Sequence, residues 1–129
     1  MTVVEALARW IAGRLELPFE DTDAAAGVFF GWMPDAPVKA VCVTAGGLRP
    51  GGGEGSLVQV QIRSDMDGGW ALRQGEALMK LLDEARDLMS SPDGPIIRRV
   101  AVERGLGFVG LEGSHTQVYG ADFVAYAEE

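Results

Sequence analysis

The chain has 129 residues, room for one domain spanning 1–129. Its 47% hydrophobic and 23% charged content excludes a disordered composition. Lys plus Arg number 11 against 19 Asp plus Glu, a net charge of −8, which excludes a nucleic-acid grip built on clustered cations and docking on an anionic membrane face. No run approaches the roughly 18–20 apolar residues of a membrane span, no basic segment precedes an apolar stretch at the start, and the lone Cys42 can form no internal disulfide, as fits a reducing compartment.

Thr2 to about Leu15 reads as a helix. Val3, Val4, Leu7, Trp10, Ile11 and Leu15 recur at three- and four-residue spacing, Thr2 and Glu5 form a capping-box signal, and Glu5 and Arg9 make an i, i+4 pair. Gly13 and Pro18 mark its exit. Residues 18–26 read as a linker carrying Glu20, Asp21 and Asp23. Gly27–Trp32 is a short apolar strand ended by Pro34 and Pro37, and Val38–Thr44 is a buried, β-branched strand.

Residues 45–55 hold six glycines and one proline, which predicts a long loop between two strands. Ser56–Ser64 alternates cleanly, with Val58, Val60 and Ile62 on one face and Gln59, Gln61 and Arg63 on the other. Trp70–Met89 reads as a second helix with a stripe of Leu78, Leu81, Leu82, Ala85, Leu88 and Met89. Residues 90–95 form a stop and turn. Ile96–Glu103 and Phe108–Leu111 read as two strands around a break at Arg104-Gly105. After a turn at 112–114, Thr116–Ala127 is the last strand. This order predicts an α+β domain, a mostly antiparallel β-sheet with two helices packed on it.

Few residues offer chemistry. The glycine loop lacks the Gly-Lys-Ser/Thr leading into a helix that a phosphate loop needs, so nucleotide binding is not expected. His115 is the single histidine and reads as a surface turn residue. Cys42 lies in an apolar strand and reads as an inert core thiol. Asp65 and Asp67 lack the remaining ligand pattern of a calcium loop and read as a turn before the second helix. Trp10, Trp32 and Trp70 read as core, and no basic residues interleave with the aromatics as single-stranded nucleic acid would require. No catalytic residue, cofactor or metal is expected. Gln59, Gln61 and Arg63 form a polar row with two readings, a solvated sheet face, or a subunit contact or channel lining.

The stretch Val41-Cys42-Val43-Thr44-Ala45-Gly46-Gly47, a loop, then Val58-Gln59-Val60-Gln61-Ile62-Arg63-Ser64-Asp65 and a helix resembles the minor capsid or tail terminator proteins of long-tailed phages. Phe108-Val109-Gly110-Leu111-Glu112-Gly113 followed by Tyr119-Gly120-Ala121-Asp122-Phe123-Val124-Ala125-Tyr126 is similar to that family's closing hairpin, so the likeness covers nearly the whole chain. The resemblance implies a non-enzymatic virion protein of the tail neck, made in the host cytoplasm. It implies a homohexameric ring that ends polymerisation of the tail tube protein and joins a head-tail connector protein, with DNA passing through the lumen without specific binding. The expected subunit contact or channel lining is Gly46, Gly47, Arg49, Gly51, Gly52 and Glu54 of the loop, with Gln59, Gln61 and Arg63 of the strand. The competing expectations are another connector subunit, a stopper or adaptor, and a small-molecule-binding bacterial α+β domain with Trp32 and Trp70 lining a pocket.

Overall fold

The computed structural model describes residues 2–46, 55–65, 68–84, 86–89, 94–112 and 116–127. Its elements in chain order are α1 (Val3–Leu15), β1 (Ala26–Phe30), β2 (Lys39–Ala45), β3 (Ser56–Ser64), α2 (Gly69–Glu84), β4 (Arg86–Met89), β5 (Ile96–Glu112) and β6 (Thr116–Ala127). The six strands form one sheet in the order β1-β2-β3-β6-β5-β4. Only β1 and β2 run parallel, so the fold is α+β with a mostly antiparallel sheet, as the sequence predicts.

Helix α1 starts where the Thr2 hydroxyl accepts the Glu5 backbone N–H at 3.1 Å, which satisfies one of the donors a helix leaves orphaned at its start. The Glu5–Arg9 pair forms at 3.0 Å. The helix passes through Gly13 and ends at Glu16, whose left-handed φ of 56° directs the chain off the axis. Leu7 and Ile11 lie at the centre of its buried face, flanked by Ala6, Ala8 and Ala12. Those small side chains let the helix approach the sheet closely.

One core cluster gathers Leu7 and Ile11 of α1, Leu78 and Leu82 of α2, and the inward residues Val41, Val43, Val58, Val60, Ile62 and Phe123 of the sheet. Both helices therefore cover the same face. The period-2 alternation of β3 sets this: Val58, Val60 and Ile62 are fully buried under the helices, and Gln59, Gln61 and Arg63 point to the opposite, outer face.

Three boundaries differ from the sequence reading. The second helix stops at Glu84, and Arg86–Met89, expected as its last turn, forms β4 against Ile96–Arg99. An apolar pair such as Leu88-Met89 satisfies helical and strand patterns alike, and pairing with β5 decides between them. Residues 96–112 form one strand, not two. The expected break at Arg104-Gly105 is a run of register shifts against β6 between Val102 and Gly107, with the surplus residues absorbed as bulges. Trp32, expected in a strand and in the core, lies past the end of β1 and is 52% exposed.

Candidate functional site

The outer face of the sheet, away from both helices, holds the polar row. Gln59 sits opposite Asp122 of β6, and Gln61 opposite Gly120. Asp122 in turn pairs with Arg104 of β5 at 3.0 Å. Gly120 and Gly107 face each other across the β5–β6 ladder, and the Val109 side chain leans over Gly120. The result is a half-open groove of about 520 Å³ lined by Gln59, Gln61, Arg104, Phe108, Val109 and the glycines 105, 107 and 120. Neither Trp32 nor Trp70 lines it: Trp70 packs against the core.

Arg63, expected to continue the polar row, instead is buried, with 3% of its surface exposed. It is covered by the connection between β1 and β2. Those strands are parallel neighbours, so residues 31–38 must return the chain across the sheet, a task that ordinarily takes a dozen or more residues and a helix. Here eight residues cross the outer face as a strap, and Arg63 pins it. Its Nε donates to the Val38 carbonyl at 3.0 Å, and one terminal nitrogen donates to the carbonyls of Pro34 at 2.5 Å and Pro37 at 2.8 Å. Prolines 34 and 37 have no N–H to give to a ladder, and the planar guanidinium serves several carbonyls of this stretch at once. The strap leaves Trp32 and Val38 exposed, with the Trp32 ring edge-on to buried Phe29 at 6.3 Å.

Beneath the strap lies Cys42, buried in β2. Burial first, then the nearby Glu20 carboxylate, push its thiol up to about 11, while the Trp32 backbone N–H and Arg63 pull the other way. A thiol held neutral is a poor nucleophile, so Cys42 acts as core. His115 lies outside the described residues, as do Gly47, Arg49, Gly51, Gly52 and Glu54 of the expected contact loop. Gly46 is placed: its N–H donates to the Leu57 carbonyl at 2.8 Å, and it extends the β2–β3 ladder.

The two sides of the sheet are finished differently. At β1 the edge is closed. Phe19 bridges Val28, the Val28 N–H donates to the Pro18 carbonyl, the Glu20 N–H donates to the Val28 carbonyl, and the Glu20 carboxylate accepts the Phe30 N–H at 2.8 Å. On the other side β4 covers β5 only as far as Arg99. From Val100 to Glu112 the outer edge of β5 has no partner strand among the described residues. This rim carries exposed Val102, Phe108, Val109 and Leu111, the last at 60% exposure. An uncovered strand edge with apolar side chains is what monomeric proteins avoid.

Charge divides along the same line. Asp21, Asp23 and Asp35 are exposed on the β1 side. Four arginines (86, 98, 99 and 104) lie on β4 and β5 with three acids, Asp87, Glu103 and Glu112, and Asp122 of β6 offsets Arg104, so this side is close to neutral. Arg98 pairs with Asp87 at 2.8 Å, and Arg99 lies over the Tyr126 ring.

The sequence reading missed the strap and the rim. The rim had a signal: Gly105, Gly107 and Gly110 punctuate an otherwise apolar strand, and none of the three has a neighbour within 4 Å of a would-be Cβ. Their G-x-G-x-x-G spacing is that of a dinucleotide loop, but they lie within a strand, not at a strand-to-helix turn, so that chemistry does not apply. Among the described residues no group of three or more His, Cys, Asp or Glu side chains could hold a metal ion, and no helix is long and apolar enough to cross a membrane. No protein-family model matches the chain, and no curated protein matches its sequence.

Proposed function

We propose that the chain is a structural subunit of a tailed-phage particle, a tail terminator that associates with copies of itself into a hexameric ring at the head-proximal end of the tail tube. The ring ends tube polymerisation and offers the head connector a docking surface. The observation that carries this reading is the uncovered β5 rim, with Phe108, Val109 and Leu111 presented to solvent on an edge that has no partner strand among the described residues. Such an edge calls for a protein neighbour.

Three further points support it. The sequence resembles the terminator family from its first strands to its closing hairpin. The net charge of −8 suits a lumen past which DNA slides without being held. The outer-face groove, with two glutamines beside an Arg104–Asp122 ion pair, suits hydrated polar contact better than tight small-molecule capture. The protein acts through the shape it builds with its neighbours, without turnover.

The test is tube capping. Tail tube protein polymerising with the purified protein present should give tubes that stop growing, each bearing extra sixfold density at one end in electron micrographs. Tubes that elongate as freely as without it, with both ends bare, refute the proposal.

A further inference from the structure

Helix α2 carries a glycine where its core stripe calls for a larger side chain. Ala71, Gly75, Leu78 and Leu82 recur at four- and three-residue spacing and are all buried. A glycine inside a helix costs backbone freedom, and a core position gains nothing from it unless another side chain fills the space. Leu106 of β5 fills it. The three atoms nearest to a Cβ built at Gly75 are the two methyl carbons and the Cγ of Leu106, the last at 3.3 Å. Leu106 also stands apart in its own strand: among the described residues 102–109 every other one is exposed, and Leu106 packs against the core. We infer that Leu106 seated against Gly75 is a latch. It holds the bulged middle of β5 on the helix layer and so sets how the groove wall and the rim are presented.

The bulges of β5 make the latch possible. Arg104 and Leu106 are two residues apart, so a regular strand would put both on one face. Instead Arg104 reaches Asp122 on the outer face and Leu106 reaches α2 on the inner one, because the register against β6 shifts between Arg104 and Gly107. Gly105 and Gly107 flank Leu106, and a Cβ at either would meet nothing within 4 Å, so no packed side chain braces the strand directly beside it. The next contacts along β5, Arg104 with Asp122 and Phe108 edge-on to Tyr119 at 5.6 Å, tie it to β6 and not to a helix. The ladder fixes β5 beside β6; Leu106 fixes how far the stretch bends toward α2. Arg104, Phe108 and Val109, which wall the groove, travel with that bend. That the latch thereby pre-organises a surface for a neighbouring copy rests on the proposed function; the latch itself does not.

Native-state amide hydrogen exchange, read by mass spectrometry, tests the latch in Gly75→Ala, Leu106→Ala and the double variant, each diluted until monomeric. In Gly75→Ala the new methyl takes the space of Leu106, whose side chain can withdraw to solvent, so the helix and sheet survive and circular dichroism should match the wild type. Leu106→Ala only removes atoms, and it carries the test if Gly75→Ala does not fold. In each single variant the slow amides of residues 104–110 should exchange at least about tenfold faster, while those of β2 and β3 stay within about twofold of wild type. The double variant should exchange no faster than the faster single one, because both changes break one contact; independent contributions would multiply to about a hundredfold. Unchanged exchange at 104–110, an equal rise across the whole sheet, or effects that multiply would overturn the inference. A wild-type chain that stays monomeric at high concentration but meets the exchange expectations sinks the proposed function and leaves the latch standing. A ring-forming chain that fails them does the reverse.

Discussion

Replacing Arg63 with methionine removes the donors that pin the strap while keeping most of the side-chain volume. In the native protein the guanidinium serves three carbonyls, those of Pro34, Pro37 and Val38, at a position only 3% exposed. A buried acceptor left without a donor costs about 1–3 kcal/mol. Three carbonyls at the low end of that range, because a released strap can swing them into water, give about 3 kcal/mol. With a urea m-value of about 1.5 kcal/mol/M for a chain of this size, the denaturation midpoint should fall by about 2 M. The corresponding drop in Tm is about 10 °C. Arg63→Lys keeps the charge but not the fork, and should recover less than half of the loss. A local readout accompanies the global one. Cys42 lies under the strap, so a thiol-reactive dye that labels the wild type negligibly at pH 8 should label Arg63→Met at least tenfold faster under native conditions. An Arg63→Met protein within about 0.5 kcal/mol of wild type, with Cys42 still protected, would refute the assignment of Arg63 as the strap's pin.

Other outcomes follow from the same structure. Because burial raises the folded Cys42 thiol to about 11, the unfolded chain ionises first as pH rises. Stability should therefore be full below about pH 8.5 and fall by about 2–3 kcal/mol toward pH 11, and urea titrations of Cys42→Ala should lack that decline. Gly55→Ala should cost at least about 2 kcal/mol in the same assay, since φ is +92° and the new Cβ would lie 2.5 Å from Val124 Cγ1. Phe123→Ala, at a fully buried site under the helices, should cost about 3–5 kcal/mol. Leu111→Ser on the rim should leave Tm within about 2 °C while weakening association, as measured by sedimentation velocity.

The sheet was legible wherever side-chain alternation carried the signal. β3 and β6 have the predicted bounds because a one-residue slip would have exposed Val58, Val60 and Ile62, or Phe123 and Ala125. The Thr2 cap and the Glu5–Arg9 pair were equally local and equally readable. What escaped depended on distant partners. Arg63 follows the polar period of β3, so nothing around it in the chain signals burial. The eight-residue return from β1 covers it, and prolines 34 and 37 told of a strand end without telling where the chain went next. Leu88 and Met89 left the helix because β5 offered a ladder, a choice made by residues 96–99. The rim is a property of pairing: Phe108 and Leu111 are exposed because β4 ends early, and a strand's partner length is not written in the strand itself. The candidate site was therefore half legible. Gln59 and Gln61 were found, but their companions Arg104, Asp122 and the glycines of β5 enter through the register alone.

Self-association carries the whole account, and native mass spectrometry of the purified wild-type chain measures it most directly. The account predicts a dominant species near 82 kDa, six times the 13.7 kDa chain, with smaller oligomers appearing as the protein is diluted. A single 13.7 kDa species persisting up to about 100 μM, far above where a specific interface of ordinary size is populated, would contradict it.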